Sequence, residues 1–200
     1  IAHGVFGYTE AWPSLVEAVV EGLQREHAWT IEPDWLVWLP GVVSGFNLAC
    51  AIAGEAGDGV VTATPVYPPF LSAPANTGRV LQRCELVLRA GRWQWDWEAL
   101  ERTVDARSRL LLLCSPHNPV GRVFDADELR QLADFAARHN LAFVENQNLI
   151  SIDHRTNTLG NNKTGSTMHQ VIKRLQEFAG PVKNALASKF NVVASGWINK

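Results

Sequence analysis

The sequence lacks paired cysteines, long apolar runs and an excess of charge of either sign. Its three cysteines are odd in number and show no C-x-x-C spacing, which argues against a disulfide framework or a zinc site. No apolar run approaches the roughly 20 residues that a membrane span needs. The formal net charge of −2 creates no field that would gather nucleic acid or anionic lipid. These absences predict a cytoplasmic protein that acts on small molecules and has no metal, nucleic-acid or membrane partner.

Lysine is missing from the first 144 residues, which contain eleven arginines, whereas residues 145–200 contain five lysines and two arginines. Tryptophan falls from seven residues to one across the same boundary. Two explanations stay open: a polar, exposed C-terminal segment, or a tail of different origin. We therefore expect one unit at 1–145 and a divergent or unrelated tail at 146–200, whose apolar spacing after Ser166 predicts an amphipathic helix.

Before that boundary, helix and strand patterns alternate, which is typical of an α/β fold with a mostly parallel sheet. Pro13 fits the first turn of a helix, and Asp125 with Glu128 predicts a capping box at the start of another. Further helices are predicted from about 46 to 53 and in "WEALERTV". Strands are predicted in "DWLVWLPG", at 60–63, in "RVLQRCELVL", in "RLLLLCSP" and in "LAFV". The stretch "RLLLLCSP" is apolar on both faces, as in a strand at the middle of a parallel sheet.

Three loops follow predicted strands, and ligands of open α/β sheets bind beyond the carboxyl ends of strands. In "LPGVVSGFN" (39–47), glycines precede a helix N-terminus, a combination that can bind an anion. In "TPVYPPF" (64–70), prolines restrict Tyr67, which either lies against a ligand or packs as an ordinary aromatic residue. In "CSPHNPVGRVF" (114–124), prolines on both sides hold the amide of Asn118.

Four stretches, taken in order, carry a family resemblance: "HGVFGYTE" (3–10), "PGVVSGFNLA" (40–49), "GDGVVTATPVYPPF" (57–70) and "LLLLCSPHNPVGRVFDADEL" (110–129). They resemble the large domain of the fold-type-I, pyridoxal-phosphate-dependent class I/II aminotransferase family, and more narrowly its cystathionine β-lyase-like branch of carbon-sulfur lyases. The resemblance covers about the N-terminal 145 residues. It implies a three-layer α/β sandwich, an incomplete large domain, with pyridoxal 5'-phosphate as the cofactor and an amino acid as the substrate.

The resemblance also implies roles for individual residues around the cofactor. The backbone N–H groups of Val42 and Val43 would bind the phosphate, Tyr67 would stack on the pyridine ring, and Asn118 would donate a hydrogen bond to the phenolic oxygen. Tyr8 would reach the phosphate of a neighbouring subunit, so a homodimer is the expected assembly. The cofactor would act as the electron sink for a carbanion at the substrate α-carbon.

The C-terminal part departs from the family pattern at two positions. The family places an acid beside the pyridine nitrogen in a stretch like "SDEIH", where this sequence has "ENQNL"; the position falls on Asn146, or on Asp153 if the chain carries an insertion. The Schiff-base lysine lies in a stretch like "SKTFN", which makes Lys189 in "ASKFN" the candidate. The family's N-terminal arm and small C-terminal domain have no counterpart, which predicts an internal fragment of a longer enzyme.

The implied reaction is β-elimination of a thiol from an amino acid, which yields pyruvate and ammonia. Transamination is the alternative chemistry, and a non-catalytic protein that keeps the scaffold without a functional lysine is the third possibility. The stretch "GNNKTGS" has the wrong order for a phosphate loop, and the six histidines lack metal-ligand spacing. Only His117 stands out among them, because it borders the expected cofactor.

Overall fold

The computed structural model describes residues 11–39 and 41–147. These residues form five helices, one 3-10 turn and five strands. In chain order they are α1 (Pro13–His27), the 3-10 turn (Pro33–Trp35), α2 (Val42–Ile52), β1 (Gly59–Thr64), α3 (Pro69–Asn76), β2 (Val80–Arg89), β3 (Arg92–Trp95), α4 (Trp97–Thr103), β4 (Ser108–Ser115), α5 (Ala126–Arg138) and β5 (Ala142–Gln147). The predicted tail helix lies outside the described residues.

The strands form one sheet in the order β3-β2-β1-β4-β5. β1 pairs in parallel with both β2 and β4, and β4 pairs in parallel with β5. Only β3, at one edge, is antiparallel to its neighbour β2. The chain therefore adds β2 and β3 on one side of β1, and then adds β4 and β5 on the other side. The predicted α/β fold with a mostly parallel sheet is confirmed.

Successive side chains of β4 face two different helical layers, because side chains alternate along a strand. Leu110 and Leu112 pack with α2 and α3 on one face of the sheet. Leu111 and Leu113 pack with α4 and α5 on the other face. All four leucines are at most 1% exposed. The consecutive leucines thus supply the core on both sides of the sheet, and the predicted three-layer sandwich is confirmed.

The predicted capping box opens α5. Oδ1 of Asp125 accepts a hydrogen bond from the backbone N–H of Glu128 at 3.0 Å, and Oε2 of Glu128 accepts one from the backbone N–H of Asp125 at 2.8 Å. An N-cap of this kind typically contributes about 1 kcal/mol to stability. The loop after β4 therefore ends at a fixed residue, since α5 must begin at Ala126.

The strand predicted in "DWLVWLPG" is wrong. Residues 33–35 form the 3-10 turn, and residues 36–39 belong to no strand. The apolar residues contribute side-chain packing instead: Cδ1 of Leu39 lies 3.2 Å from the position that a Cβ on Gly45 would take. A short apolar run does not distinguish these outcomes.

The start of one helix and the presence of one strand also differ from the sequence prediction. Helix α2 begins at Val42, not near residue 46, so the glycine-rich stretch forms its first turn. Strand β3 was not predicted at all. It is joined to β2 by a two-residue turn at Ala90 and Gly91, whose φ angles of 49° and 74° are both positive, as a type I′ hairpin requires. Alanine is uncommon at a position with a positive φ angle. The sequence therefore lacks the Asn-Gly or Asp-Gly pair that usually indicates a hairpin.

Candidate functional site

The strand order reverses between β1 and β4, and we call the place where their pairing ends, at the carboxyl edge of the sheet, the crevice. The backbone ladder between them ends at Val61 and Leu111. Yet β1 continues to Thr64 and β4 continues to Ser115, each paired with its other neighbour. The chain leaves these two strands toward opposite sides of the sheet, so their loops diverge. Ligands of open α/β sheets bind at such a switch point.

The start of α2 presents unoccupied hydrogen-bond donors. Gly41 is the N-cap, with φ of 148°, and no side chain caps the helix or places an acid in its first turn. The first helical hydrogen bond is donated by Gly45 to the carbonyl of Gly41 at 3.1 Å, so the N–H groups of Val42 and Val43 precede the helical ladder. Such N–H groups, with the positive end of the helix dipole, suit an anion such as a phosphate.

The direction of α2 places this donor end near the carboxyl edge of the sheet. Arg79, next to the first residue of β2, donates hydrogen bonds to the carbonyl of Ala51 at 2.6 Å and to that of Gly54. The C-terminal end of α2 therefore lies at the amino edge. Near its other end, the ring of Phe46 lies 4.7 Å from the ring of Phe70, which opens α3 just after the Tyr67 loop.

Tyr67 and Asn118 lie in the loops that follow β1 and β4. The side chain of Tyr67 is 37% exposed, although its neighbour Val66 is buried. Asn118 is exposed as well, in a turn closed by hydrogen bonds from the His117 N–H to the Arg122 carbonyl at 2.6 Å and from the Gly121 N–H to the His117 carbonyl at 2.8 Å. Both side chains are therefore exposed at the switch point and do not pack in the core.

The two loops touch through His117, a contact that sequence reasoning did not foresee. Nε2 of its ring lies 2.8 Å from the carbonyl oxygen of Pro65, which is 52 residues earlier in the chain. Nδ1 lies 3.2 Å from the carbonyl oxygen of Cys114. The only sequence signal was the position of His117 beside Asn118. A contact between residues so far apart in the chain depends on the order of the strands in the sheet, and a single sequence does not reveal that order.

Two buried groups at this edge, the His117 imidazole and the Cys114 thiol, are uncharged at neutral pH. Burial lowers the pKa of the His117 imidazole below its ordinary value of 6.5, and the nearby Arg122 guanidinium lowers that pKa further. Burial raises the pKa of the Cys114 thiol above its ordinary value. At neutral pH the imidazole therefore carries no charge and the thiol keeps its proton. Neither group attracts an anion, so we assign that role to the backbone N–H groups at the start of α2.

Several predicted site residues are not described by the structure. Tyr8, Asp153 and Lys189 lie outside the described residues, so their roles stay predictions. The backbone of Asn146, the in-register position of the family's acid, pairs on β5 with Cys114 of β4, near the ends of both strands. Within residues 11–39 and 41–147, no group of three or more metal-ligating side chains is found, and no helix is long and apolar enough to cross a membrane.

Comparison with known proteins decides the family. The family model for aminotransferase class I and II matches residues 3–145. The chain belongs to that family. The cystathionine beta-lyase PatB of Bacillus subtilis is 34% identical over 146 residues, which cover 72% of this chain and 38% of that protein. The cystathionine beta-lyase of Corynebacterium glutamicum is 29% identical over 144 residues, with the same two coverages.

Solved structures agree with the sequence matches. Cystalysin from Treponema denticola, whose crystal structure contains a pyridoxal 5'-phosphate cofactor, is 35% identical and superposes with a TM-score of 0.68. The superposition covers 73% of this chain and 37% of cystalysin. The chain thus spans less than two fifths of the length of the relatives that it matches, and the matched part contains the sheet and the switch point.

We predict that acid weakens the fold partly through His117. Because the folded-state pKa of this imidazole is below 6.5, the folded protein binds fewer protons than the unfolded chain, and stability is lost as the pH falls through that value. His117→Gln removes this titration. The wild type should therefore lose more free energy of unfolding than the variant between about pH 7.5 and about pH 5.5, measured by urea denaturation. Parallel losses in the two proteins would contradict the prediction.

Proposed function

We propose that this chain is part of a pyridoxal-phosphate-dependent carbon-sulfur β-lyase that acts on amino acids. One observation carries the proposal: the loops that follow β1 and β4 carry an exposed aromatic ring and an exposed amide, and α2 starts without a side-chain cap. The lyase assignment is supported by the two cystathionine beta-lyases and by cystalysin, each of which matches across this part of the fold.

The donor set fits the chemistry of the cofactor. A phosphate needs several hydrogen-bond donors and little negative charge nearby, and the first turn of α2 contains N–H groups and no acid. A pyridine ring needs a flat apolar partner, for which Tyr67 is available with over a third of its surface exposed. A phenolic oxygen needs a donor, and the Asn118 amide supplies one. We assign the phosphate to Val42 and Val43, the ring to Tyr67 and the phenolic oxygen to Asn118.

When bound, the cofactor supplies an electron sink for the carbanion at the substrate α-carbon. The chain must contribute a group that moves the α-proton, and we propose the Nζ of Lys189 for this role. Every lysine of the sequence lies between 163 and 200, so no residue of the first 162 can replace it. The carboxylate beside the ring nitrogen would come from Asp153, because the amide of Asn146 carries no charge.

The proposal extends to the oligomeric state and the cellular location of the protein. We propose a homodimer in which Tyr8 of one subunit contacts the phosphate bound to the other. A cytoplasmic location is supported by three unpaired, buried cysteines, since free thiols persist in reducing compartments. We further propose that residues 1–145 form the cofactor-binding unit and that residues 146–200 are a divergent segment that carries the covalent chemistry.

The first experiment tests the cofactor site by titration with pyridoxal 5'-phosphate, followed by absorbance. Tyr67→Ala should raise the dissociation constant about tenfold, because a stacking contact of about 1 kcal/mol or more is lost. Tyr67→Phe keeps the ring and serves as the matched control, with an expected change below about threefold. Equal affinities for the alanine and phenylalanine variants would remove Tyr67 from the site.

A second experiment locates the covalent attachment. Borohydride reduction of the protein with bound cofactor fixes any link to a lysine, and peptide mass spectrometry then identifies the residue. We expect the label on Lys189 and its loss in Lys189→Ala. Lys183→Ala, six residues earlier in the same tail, should keep the label. Labelling of another lysine would refute the assignment, and absence of any label would favour the non-catalytic alternative.

The reaction type is tested by the products formed from cystathionine. A β-lyase releases a free thiol, pyruvate and ammonia in equal amounts, without a second substrate. A transaminase needs an added 2-oxo acid and releases no thiol; the family to which the chain belongs makes it the alternative. We expect the lyase products, and a rate at least about a hundredfold lower for Lys189→Ala, because proton transfer loses its base. Turnover that depends on the 2-oxo acid would replace the proposal with transamination.

A further inference from the structure

Side chains replace backbone pairing where β1 and β4 part. Beyond Val61 and Leu111 the two strands share no ladder position. The hydroxyl of Thr62, which is fully buried, donates a hydrogen bond to the carbonyl of Leu112 at 2.9 Å. Farther out, the next side-chain link is the imidazole of His117, whose Nε2 lies 2.8 Å from the carbonyl oxygen of Pro65. Among the residues that the structure describes, the outermost side-chain link between the two segments is therefore one imidazole.

The surroundings of His117 hold this imidazole in place. The residue is 1% exposed, and its ring meets the ring of Phe124 edge-on at 5.8 Å between centroids. Both ring nitrogens face carbonyl oxygens, which only accept hydrogen bonds, so a neutral imidazole can donate to one of them. We assign the hydrogen to Nε2, which makes the shorter contact. An apolar side chain could fill this volume without the cost of desolvating an imidazole. The hydrogen bond to the other loop offsets that cost.

Each end of the link lies next to a proposed cofactor contact. On one side, His117 directly precedes Asn118, and its own backbone closes the turn that holds Asn118. On the other side, Pro65 lies two residues before Tyr67, with the buried Val66 between them. A change in the link must therefore shift the amide and the aromatic ring relative to each other.

We propose that His117 is a positioning residue whose side chain fixes the separation between Tyr67 and Asn118 by joining their loops across the crevice. The proposal rests on the proposed function, since it concerns the same cofactor site. The imidazole contacts no reacting atom in this role. It acts through the Pro65 carbonyl on one loop and through its own backbone on the other.

The test combines two measurements on the full chain. Amide hydrogen exchange, followed by mass spectrometry without cofactor, reports on peptides that cover 64–72 and 115–122. Titration with pyridoxal 5'-phosphate gives the dissociation constant. In His117→Leu we expect faster exchange in both loops and a dissociation constant raised about tenfold, because a buried hydrogen bond is lost and a carbonyl is left unpaired. His117→Gln retains a donor and should recover part of both changes.

Leu100→Ala is the matched control, because Leu100 is fully buried in α4 and its side chain makes no hydrogen bond to either loop. It should lower the free energy of unfolding while leaving loop exchange unchanged and affinity within about twofold. If His117→Leu does not fold, His117→Asn, whose side chain is shorter, takes its place with the same expectations.

The outcomes separate the inference from the proposed function. If the wild type does not bind the cofactor, the proposed function fails, and the exchange of the 64–72 peptide still decides whether His117 joins the loops. If the wild type binds and His117→Leu matches Leu100→Ala in exchange and in affinity, the proposed function stands and the positioning role is overturned. Faster exchange in the 115–122 peptide alone would also overturn it.

Discussion

The parting of β1 from β4 is the constraint on which the rest of the site depends. Parallel strands require crossover connections, and these connections are right-handed almost without exception. A chain that moves outward from β1 on one side and from β4 on the other must therefore place α3 and α5 on opposite faces. The cores on the two faces follow this division. The crevice at the carboxyl edge is a consequence of the strand order, and so is the arrival of Tyr67 and Asn118 at its rims.

A crevice of this kind creates a problem for the backbone, because strand ends without a partner leave polar groups that need hydrogen bonds. The protein meets part of this need with Thr62 and His117, whose side chains bond to carbonyls of the opposite segment. Both residues are buried, and both are neutral hydrogen-bonding groups at physiological pH. The same bonds that satisfy these carbonyls join the two rims, and neither side chain brings a charge.

The features that the sequence predicted best are those with a local physical cause. The capping box at Asp125 and Glu128 is complete within four residues, and the alternating burial of the leucines in β4 needs only the period of a strand. The errors arose where tertiary competition decides. Residues 36–39 have the composition of a strand, but they join no strand, and Leu39 packs beside Gly45 of α2 instead. The roles of Val42, Tyr67 and Asn118 came from the family resemblance, whereas the His117 contact spans 52 residues and has no local signal.

The proposed function assigns binding and covalent chemistry to different stretches of this chain. The proposed contacts to phosphate, ring and phenolic oxygen fall between residues 42 and 118, where the cationic side chains are all arginines. The candidate lysine and acid fall after 147, where lysine replaces arginine as the main cation. A phosphate held by backbone N–H groups needs no lysine, and a stacked ring needs no acid. Under this proposal, affinity for the cofactor would persist when the C-terminal stretch changes, whereas turnover would not. The amide at Asn146 illustrates this separation: if no acid such as Asp153 took over beside the ring nitrogen, reactivity would fall while the proposed binding contacts of the first 145 residues stayed in place.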